Sequence, residues 1–358
     1  MDCLRDWPEP IVRVQSLSES GLTTIPERYI KPASERPVKH ELTNDWQELS
    51  IPVIDLGGLE QDEASCNSTM KAISDAVRDW GFLQVVNHGV SPELMKQHRE
   101  VWRTFFHQPM EEKQKYANSP KTYEGYGSRL GIDKGAILDW GDYYFLHLLP
   151  KTLKDPNKWP SLPPPIRDTI EEYGDELVKL CGRLMKVLSL SLGLDENYLQ
   201  RSFGGEDVGV CMRTNYYPKC PQPELTLGLS AHSDPGGMTV LLVDDRVQGL
   251  QVRKDHRWVT VKPVSDAFIV NVGDQIQVLS NAIYKSVEHR VMVNSDEERI
   301  SIAFFYNPRS DLPVGPAPEL VTRERPARYQ AMTFDEYRLF IRKRGPQGKS
   351  QVESLKFT

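Results

Sequence analysis

In Leu229-Ser-Ala-His-Ser-Asp-Pro235, His232 and Asp234 stand two residues apart, so in an extended segment both side chains leave on one face and can share a metal ion. Alone the pair is a weak sign, because Asp234 could as well open the Pro235-Gly-Gly turn with His232 at the surface. His289, downstream in a run that reads as a strand from Glu288 to Val293, offers a second imidazole, with a hydrogen-bonded core histidine as the ordinary alternative. Two histidines and one carboxylate around an ion, with its other positions open, suit non-haem iron(II) chemistry with dioxygen. Arg299 and Ser301 then begin the next apolar run and share a face by the same parity. A guanidinium fork with one further hydroxyl donor is what holding the far acid group of a dicarboxylate requires. Each piece is common; their company and order are specific.

Such a set needs rigid, extended elements to aim it. From Val210 onward short apolar runs predict strands at Val210 to Tyr217, Met238 to Val243, Leu250 to Arg253, Trp258 to Lys262, Ala267 to Val272, Glu288 to Val293 and Arg299 to Asn307. Gly, Pro and Asp between them argue for a sandwich or jelly roll rather than a parallel α/β sheet. Earlier, strands are expected at Ile51 to Leu56 and Phe82 to Asn87, and a strand-like stretch from Asp139 to Leu149. Helices are expected from Val12 to Ser20, from Ser68 to Trp80, after the Ser91-Pro92 cap, from Pro165 to Gly193 as a spine behind the sheet, and from Thr333 to Arg344. The chain divides into an irregular arm at 1–50 that is rich in proline, a helical and mixed region at 51–205, a strand-rich core at 206–320, and a C-terminal helix and tail at 321–358 over the substrate pocket.

Composition narrows the partner. With 358 residues and 39% apolar content the chain can bury a large core, and its charge of 44 − 50 = −6 is spread without basic runs. A nucleic-acid footprint and a polybasic membrane anchor are therefore not expected, and a small molecule is. The five cysteines, Cys3, Cys66, Cys181, Cys211 and Cys220, are odd in number and unpaired by spacing, as in a reducing compartment. The polar N-terminus and the lack of a long apolar run lead us to expect a soluble cytoplasmic protein, with the nucleus also open to it, working as a monomer.

The His-x-Asp, distal His and Arg-x-Ser set, with Asn215-Tyr-Tyr-Pro218 before it, resembles the plant 2-oxoglutarate and iron(II)-dependent dioxygenases. That resemblance runs over most of the chain from Ile51. It implies an α+β, mainly β fold: a double-stranded β-helix (jelly roll, cupin-like) core flanked by helices. It also implies Fe(II) on His232, Asp234 and His289; 2-oxoglutarate on Arg299, Ser301, Tyr217 and Asn215; dioxygen as co-substrate and ascorbate as reductant. For Tyr217 and Asn215 plain sheet packing is the alternative.

Arg213 shares strand parity with Asn215 and Tyr217, so it faces the same side and calls for an anion there, unless it pairs with a carboxylate such as Glu224. Arg338 groups with Phe334, Tyr337 and Ile341 on the last helix, although it could instead be solvated among Arg342, Lys343 and Arg344. Phe305, by parity with Arg299, and Phe145 and Phe334 are wall candidates, each of which could be ordinary core. A few aromatic rings with one or two arginines suit a mostly apolar acid. Trp7-Pro-Glu-Pro-Ile-Val-Arg-Val-Gln-Ser-Leu17, Ile25-Pro-Glu-Arg-Tyr-Ile-Lys-Pro32 and Gly345-Pro-Gln-Gly-Lys-Ser350 are similar to the jasmonate-induced oxygenases. This closer resemblance implies hydroxylation of jasmonic acid to 12-hydroxyjasmonate, lowering the hormone pool, with Arg213 and Arg338 clamping its carboxylate. The alternatives are a flavonoid oxidase of the anthocyanidin synthase or flavonol synthase type, and a hormone-binding module without turnover.

Overall fold

Alternation along the apolar runs builds two sheets that face each other across the candidate ligands. The structure is a computed structural model that describes residues 7–37, 50–131, 133–345 and 348–357, without the side chains of 340–342 and 344. Cys3, Pro346, Gln347 and the side chains of Ile341, Arg342 and Arg344, named above, lie outside the described residues. The strands are β1 (Val53–Asp55), β2 (Phe82–Val86), β3 (Gly125–Gly127), β4 (Asp142–Leu149), β5 (Gly209–Tyr217), β6 (Leu229–His232), β7 (Met238–Leu242), β8 (Leu250–Lys254), β9 (Arg257–Thr260), β10 (Phe268–Val272), β11 (His289–Val291) and β12 (Arg299–Asn307). The major sheet has eight of them in the order β1-β2-β10-β7-β12-β5-β4-β3, and the minor sheet four in the order β6-β11-β8-β9. The fold is the expected α+β double-stranded β-helix, with β1 to β4 of the first half hydrogen-bonded into the major sheet.

Parity divides the major sheet cleanly. On β12, Ile300, Ile302, Phe304 and Tyr306 join the core, as do Val210, Met212 and Tyr216 on β5. They pack against Trp102, Phe105 and Phe106 of the helix Pro92–Phe106 and against the 26-residue helix Ile166–Ser191, whose Ile170, Tyr173, Leu177, Leu180 and Leu184 form its buried stripe. Burying one such side chain contributes about 1.5–3 kcal/mol, so this layer sets the rigidity of the sheet behind the site. The opposite parity, Arg299, Ser301, Ala303 and Phe305 with Cys211, Arg213, Asn215 and Tyr217, is left to face the minor sheet.

The helices differ from expectation in two places. The helix expected from Ser68 starts at Glu63, capped by Asp62, whose side chain accepts from the Ala64 and Ser65 amides. Its first turns carry no apolar periodicity, and only Ser65, Cys66 and Thr69 are half-buried there. It stops at Gly81 as expected: φ is 67°, and a Cβ there would meet the Lys285 carbonyl at 2.3 Å. A helix at Asp274–Leu279 was not foreseen, because all six of its residues are buried and no face alternates. No helix among the described residues is long and apolar enough to cross a membrane.

Candidate active site

β6 and β11 are adjacent antiparallel strands with His232 directly opposite His289, which brings the two rings to 4.2 Å between centroids. Asp234 follows β6 by two residues. Its Oδ1 lies 3.6 Å from Nε2 of each histidine. Two ligands each about 2.1 Å from a shared cation stand at most about 4.2 Å apart, so these atoms fit one first-row ion. Among the described residues, His232, Asp234 and His289 are the only group of three or more His, Cys, Asp or Glu residues with such convergence.

The far side of every ligand is tied down. His232 Nδ1 donates to the Ser230 carbonyl at 2.8 Å and His289 Nδ1 to the Val287 carbonyl at 3.2 Å, a tautomer that leaves both Nε2 lone pairs aimed inward. Asp234 Oδ2 accepts from Thr239 Oγ1 at 2.6 Å and from Asn271 Nδ2 at 2.8 Å, leaving Oδ1 for the ion. Burial pushes the Asp234 carboxyl up, but the neighbouring His289 and His232 rings and the Asn271 amide outweigh it and hold the group well below the usual carboxylate range. Burial, then the His232 ring, depress His289 to about 4 against the pull of Asp234. An ionised Asp234 beside a neutral His289 suits a divalent cation. Phe82 packs edge-on against His289 at 5.3 Å and closes that side.

A cavity of about 70 Å³ between the sheets is lined by these three residues and by Arg213, Asn215, Tyr217, Arg299, Ser301, Ala303 and Phe305. Strand register explains the assembly. Tyr217 stands opposite Arg299, Asn215 opposite Ser301 and Arg213 opposite Ala303, and β4 extends the last two rows with Tyr143 and Phe145. Arg299 is buried, with Nε donating to the Val247 carbonyl at 3.2 Å while Nη1 is buried without a partner. Arg213 does not pair with Glu224, which is exposed; its guanidinium stacks 4.1 Å from the Tyr143 ring and its buried Nε has no partner. Each of these two guanidinium groups thus lines the cavity with one buried nitrogen unpartnered.

Other candidates lie farther out. Arg338 and Phe334 line a neighbouring groove of about 160 Å³, not the cavity of the ligand cluster. There Arg338 is held by Asp335 at 2.6 Å and sits 5.7 Å over the Phe334 ring. Phe145, opposite Arg213, meets His147 edge-on at 5.1 Å. The row Phe305–Cys211–His147 leads from the cavity to that groove.

Sequence reasoning missed Thr239, Asn271, Tyr143 and Asp274. A signal existed for Asn271, a lone amide in the buried run Phe268-Ile-Val-Asn-Val272, where a polar group must have a partner. Asp274 is buried and accepts from Ser233 Oγ at 3.2 Å and from Tyr337 Oη at 2.6 Å, tying the helix Phe334–Arg344 to the segment between His232 and Asp234. Burial raises the Asp274 carboxyl to about 6, against the hydrogen bonds from Tyr337 and Ser233. Tyr337→Phe removes the shorter donor to a buried carboxyl. It is expected to cost about 1–3 kcal/mol, read as a lower urea midpoint with unchanged slope; an unshifted midpoint would refute the tie.

A profile of the 2OG-Fe(II) oxygenase superfamily matches residues 209–308, and one described as non-haem dioxygenase in morphine synthesis N-terminal matches residues 51–162. Jasmonate-induced oxygenase 2 of Arabidopsis thaliana is 66% identical over 350 residues, 98% of this chain and 94% of that protein. Jasmonate-induced oxygenase 1 of the same plant is 63% identical, covering 97% of this chain and 87% of that protein. A crystal structure of JOX2 in complex with 2OG, Fe and JA superposes with a TM-score of 0.92 at 64% identity, covering 99% of this chain and all of that one.

Proposed function

Because this chain belongs to the 2OG-Fe(II) oxygenase superfamily, we propose that it hydroxylates jasmonic acid to 12-hydroxyjasmonate at the expense of 2-oxoglutarate and dioxygen, and so lowers jasmonate signalling. The observation that carries this reading is the pair of unpartnered buried guanidinium nitrogens, on Arg299 and Arg213, in one cavity with the open His232, Asp234 and His289 cluster. Two acids are to be held at one metal: a co-substrate and a substrate.

His232, Asp234 and His289 hold the iron, which when bound with 2-oxoglutarate and dioxygen supplies the oxidation of an unreactive C–H bond, with succinate and carbon dioxide as co-products and ascorbate as reductant. Arg299 and Ser301 fix the far carboxylate of 2-oxoglutarate, and Tyr217 and Asn215 line its path to the metal. Arg213 orients the jasmonate carboxylate, Phe305 gives the apolar wall, and the closed sheets keep water out. Arg338, Phe334 and Phe145 complete the substrate side when the last helix settles over a bound acid; the short row from Phe305 through Cys211 to His147 supports that continuity. Within 206–320 lies the catalytic core, the described part of 51–205 packs on it, and the helix Phe334–Arg344 covers the substrate side. We place the protein as a monomer in the cytoplasm, with access to the nucleus; the lack of any disulfide among the described cysteines supports a reducing compartment.

Incubating the protein with iron(II), ascorbate, 2-oxoglutarate and a panel of jasmonates and flavonoids tests the reading by product mass. Jasmonate gaining one oxygen atom is expected. Flavonoid oxidation with jasmonate untouched would replace it, and tight jasmonate binding with no succinate formed would reduce the protein to a binding module. Arg299→Lys, which keeps the charge but loses the fork and the Val247 anchor, should raise the KM for 2-oxoglutarate by roughly 10- to 100-fold, since a hydrogen bond to a charged group contributes about 1.5–3 kcal/mol. An unchanged KM would remove Arg299 from the co-substrate site.

A further inference from the structure

A second depression, of about 480 Å³, shares no lining residue with the metal cavity or the groove beside it. Arg78, from the last turn of the helix Glu63–Asp79, meets Arg325 and Arg328 there. None of the three guanidinium groups makes a hydrogen bond or ion pair among the described residues, and no carboxylate lines the depression. Asp75, one turn before Arg78, is taken by Lys71. Three cations around one concavity repel each other and focus a positive potential into it.

The fold holds them together. Asn281, 1% exposed, accepts the Arg328 amide on Oδ1 at 2.9 Å and donates from Nδ2 to the Pro326 carbonyl at 3.1 Å, pinning the arginine-bearing segment to the end of the helix Asp274–Leu279. To do so Asn281 and Ala282 take φ of 51° and 66°, and a left-handed conformation costs a residue with a Cβ roughly 1–2 kcal/mol. Ile283 adds a half-buried apolar edge beside the charges, while Leu320 behind it is 7% exposed.

We propose that this depression is a binding site for a nucleoside polyphosphate, with the phosphates forked by Arg325, Arg328 and Arg78 and the base against the exposed edge of Ile283. The test is calorimetric titration of the anaerobic full-length complex with iron and saturating 2-oxoglutarate, using ATP, pyrophosphate and adenosine at low salt. ATP should bind one to one, several-fold tighter than pyrophosphate, with adenosine silent and the heat unchanged by more 2-oxoglutarate. The double variant Arg325→Gln/Arg328→Gln should lose at least tenfold in ATP affinity while its melting temperature and ATP-free hydroxylation rate stay at wild-type values. ATP and pyrophosphate binding equally would overturn the nucleoside assignment. No saturation at millimolar ATP, wild-type affinity in the double variant, or displacement by 2-oxoglutarate would overturn the site.

Discussion

Asp234→Asn should fold normally, fail to retain iron and lose turnover by roughly a thousandfold or more, since metal polarisation contributes several kcal/mol at about 1.4 kcal/mol per decade. The size follows from the two donors behind the residue. Thr239 and Asn271 both donate to Oδ2, so an asparagine at this position is driven to place its amide oxygen between them and to turn its NH₂ toward the ion. The position is nearly isosteric, yet a ligand has become a pair of outward hydrogens. The variant should still fold, since the amide keeps the Thr239 and Asn271 partners, but the surroundings that hold Asp234 below the usual carboxylate range stabilise its ionised form in the fold, so the metal-free urea midpoint should fall. Iron content after desalting, jasmonate turnover and the metal-free midpoint check the three parts separately. A variant that keeps iron and turns over would show that Asp234 is not a ligand.

That site was legible in the sequence because strand parity is local. Two-residue spacing alone puts Arg299 with Ser301 and Arg213 with Asn215 and Tyr217, and all of them line one cavity. What is not local is register. Nothing near Phe145 says that it will stand opposite Arg213, or that Tyr143 will stack under that guanidinium, because the pairing joins strands far apart in the chain. The same limit hides Thr239 and Asn271, whose purpose depends on where Asp234 arrives after the turn. The helix Asp274–Leu279 escaped for a different reason, since full burial erases the periodicity by which helices are read. Of the neighbours expected for Arg338 on its helix Phe334 lies under it, but helical spacing cannot decide which of two adjoining depressions a helix overlooks.

Register also makes Arg213 the sharper probe of substrate identity. It stands opposite Ala303, and Arg299 opposite Tyr217, so the two cations are four positions apart, about 13 Å along the sheet at about 3.3 Å per residue. They can therefore be removed independently. Arg213→Ala leaves Arg299, Ser301 and the ligand cluster in place, so the KM for 2-oxoglutarate and the retained iron should stay near wild type. Jasmonate turnover should collapse, because truncating one partner of a buried charge pair costs about 2–5 kcal/mol. That corresponds to roughly 30-fold to several thousandfold in kcat/KM at about 1.4 kcal/mol per decade. Arg213→Lys should recover part of the loss, since the charge returns without the planar group that stacks on Tyr143. A neutral polyphenol has no carboxylate to lose, so a flavonoid oxidase would keep most of its rate in the alanine variant. Near-normal jasmonate turnover by Arg213→Ala would therefore dismiss the clamp while leaving the iron and 2-oxoglutarate assignments standing.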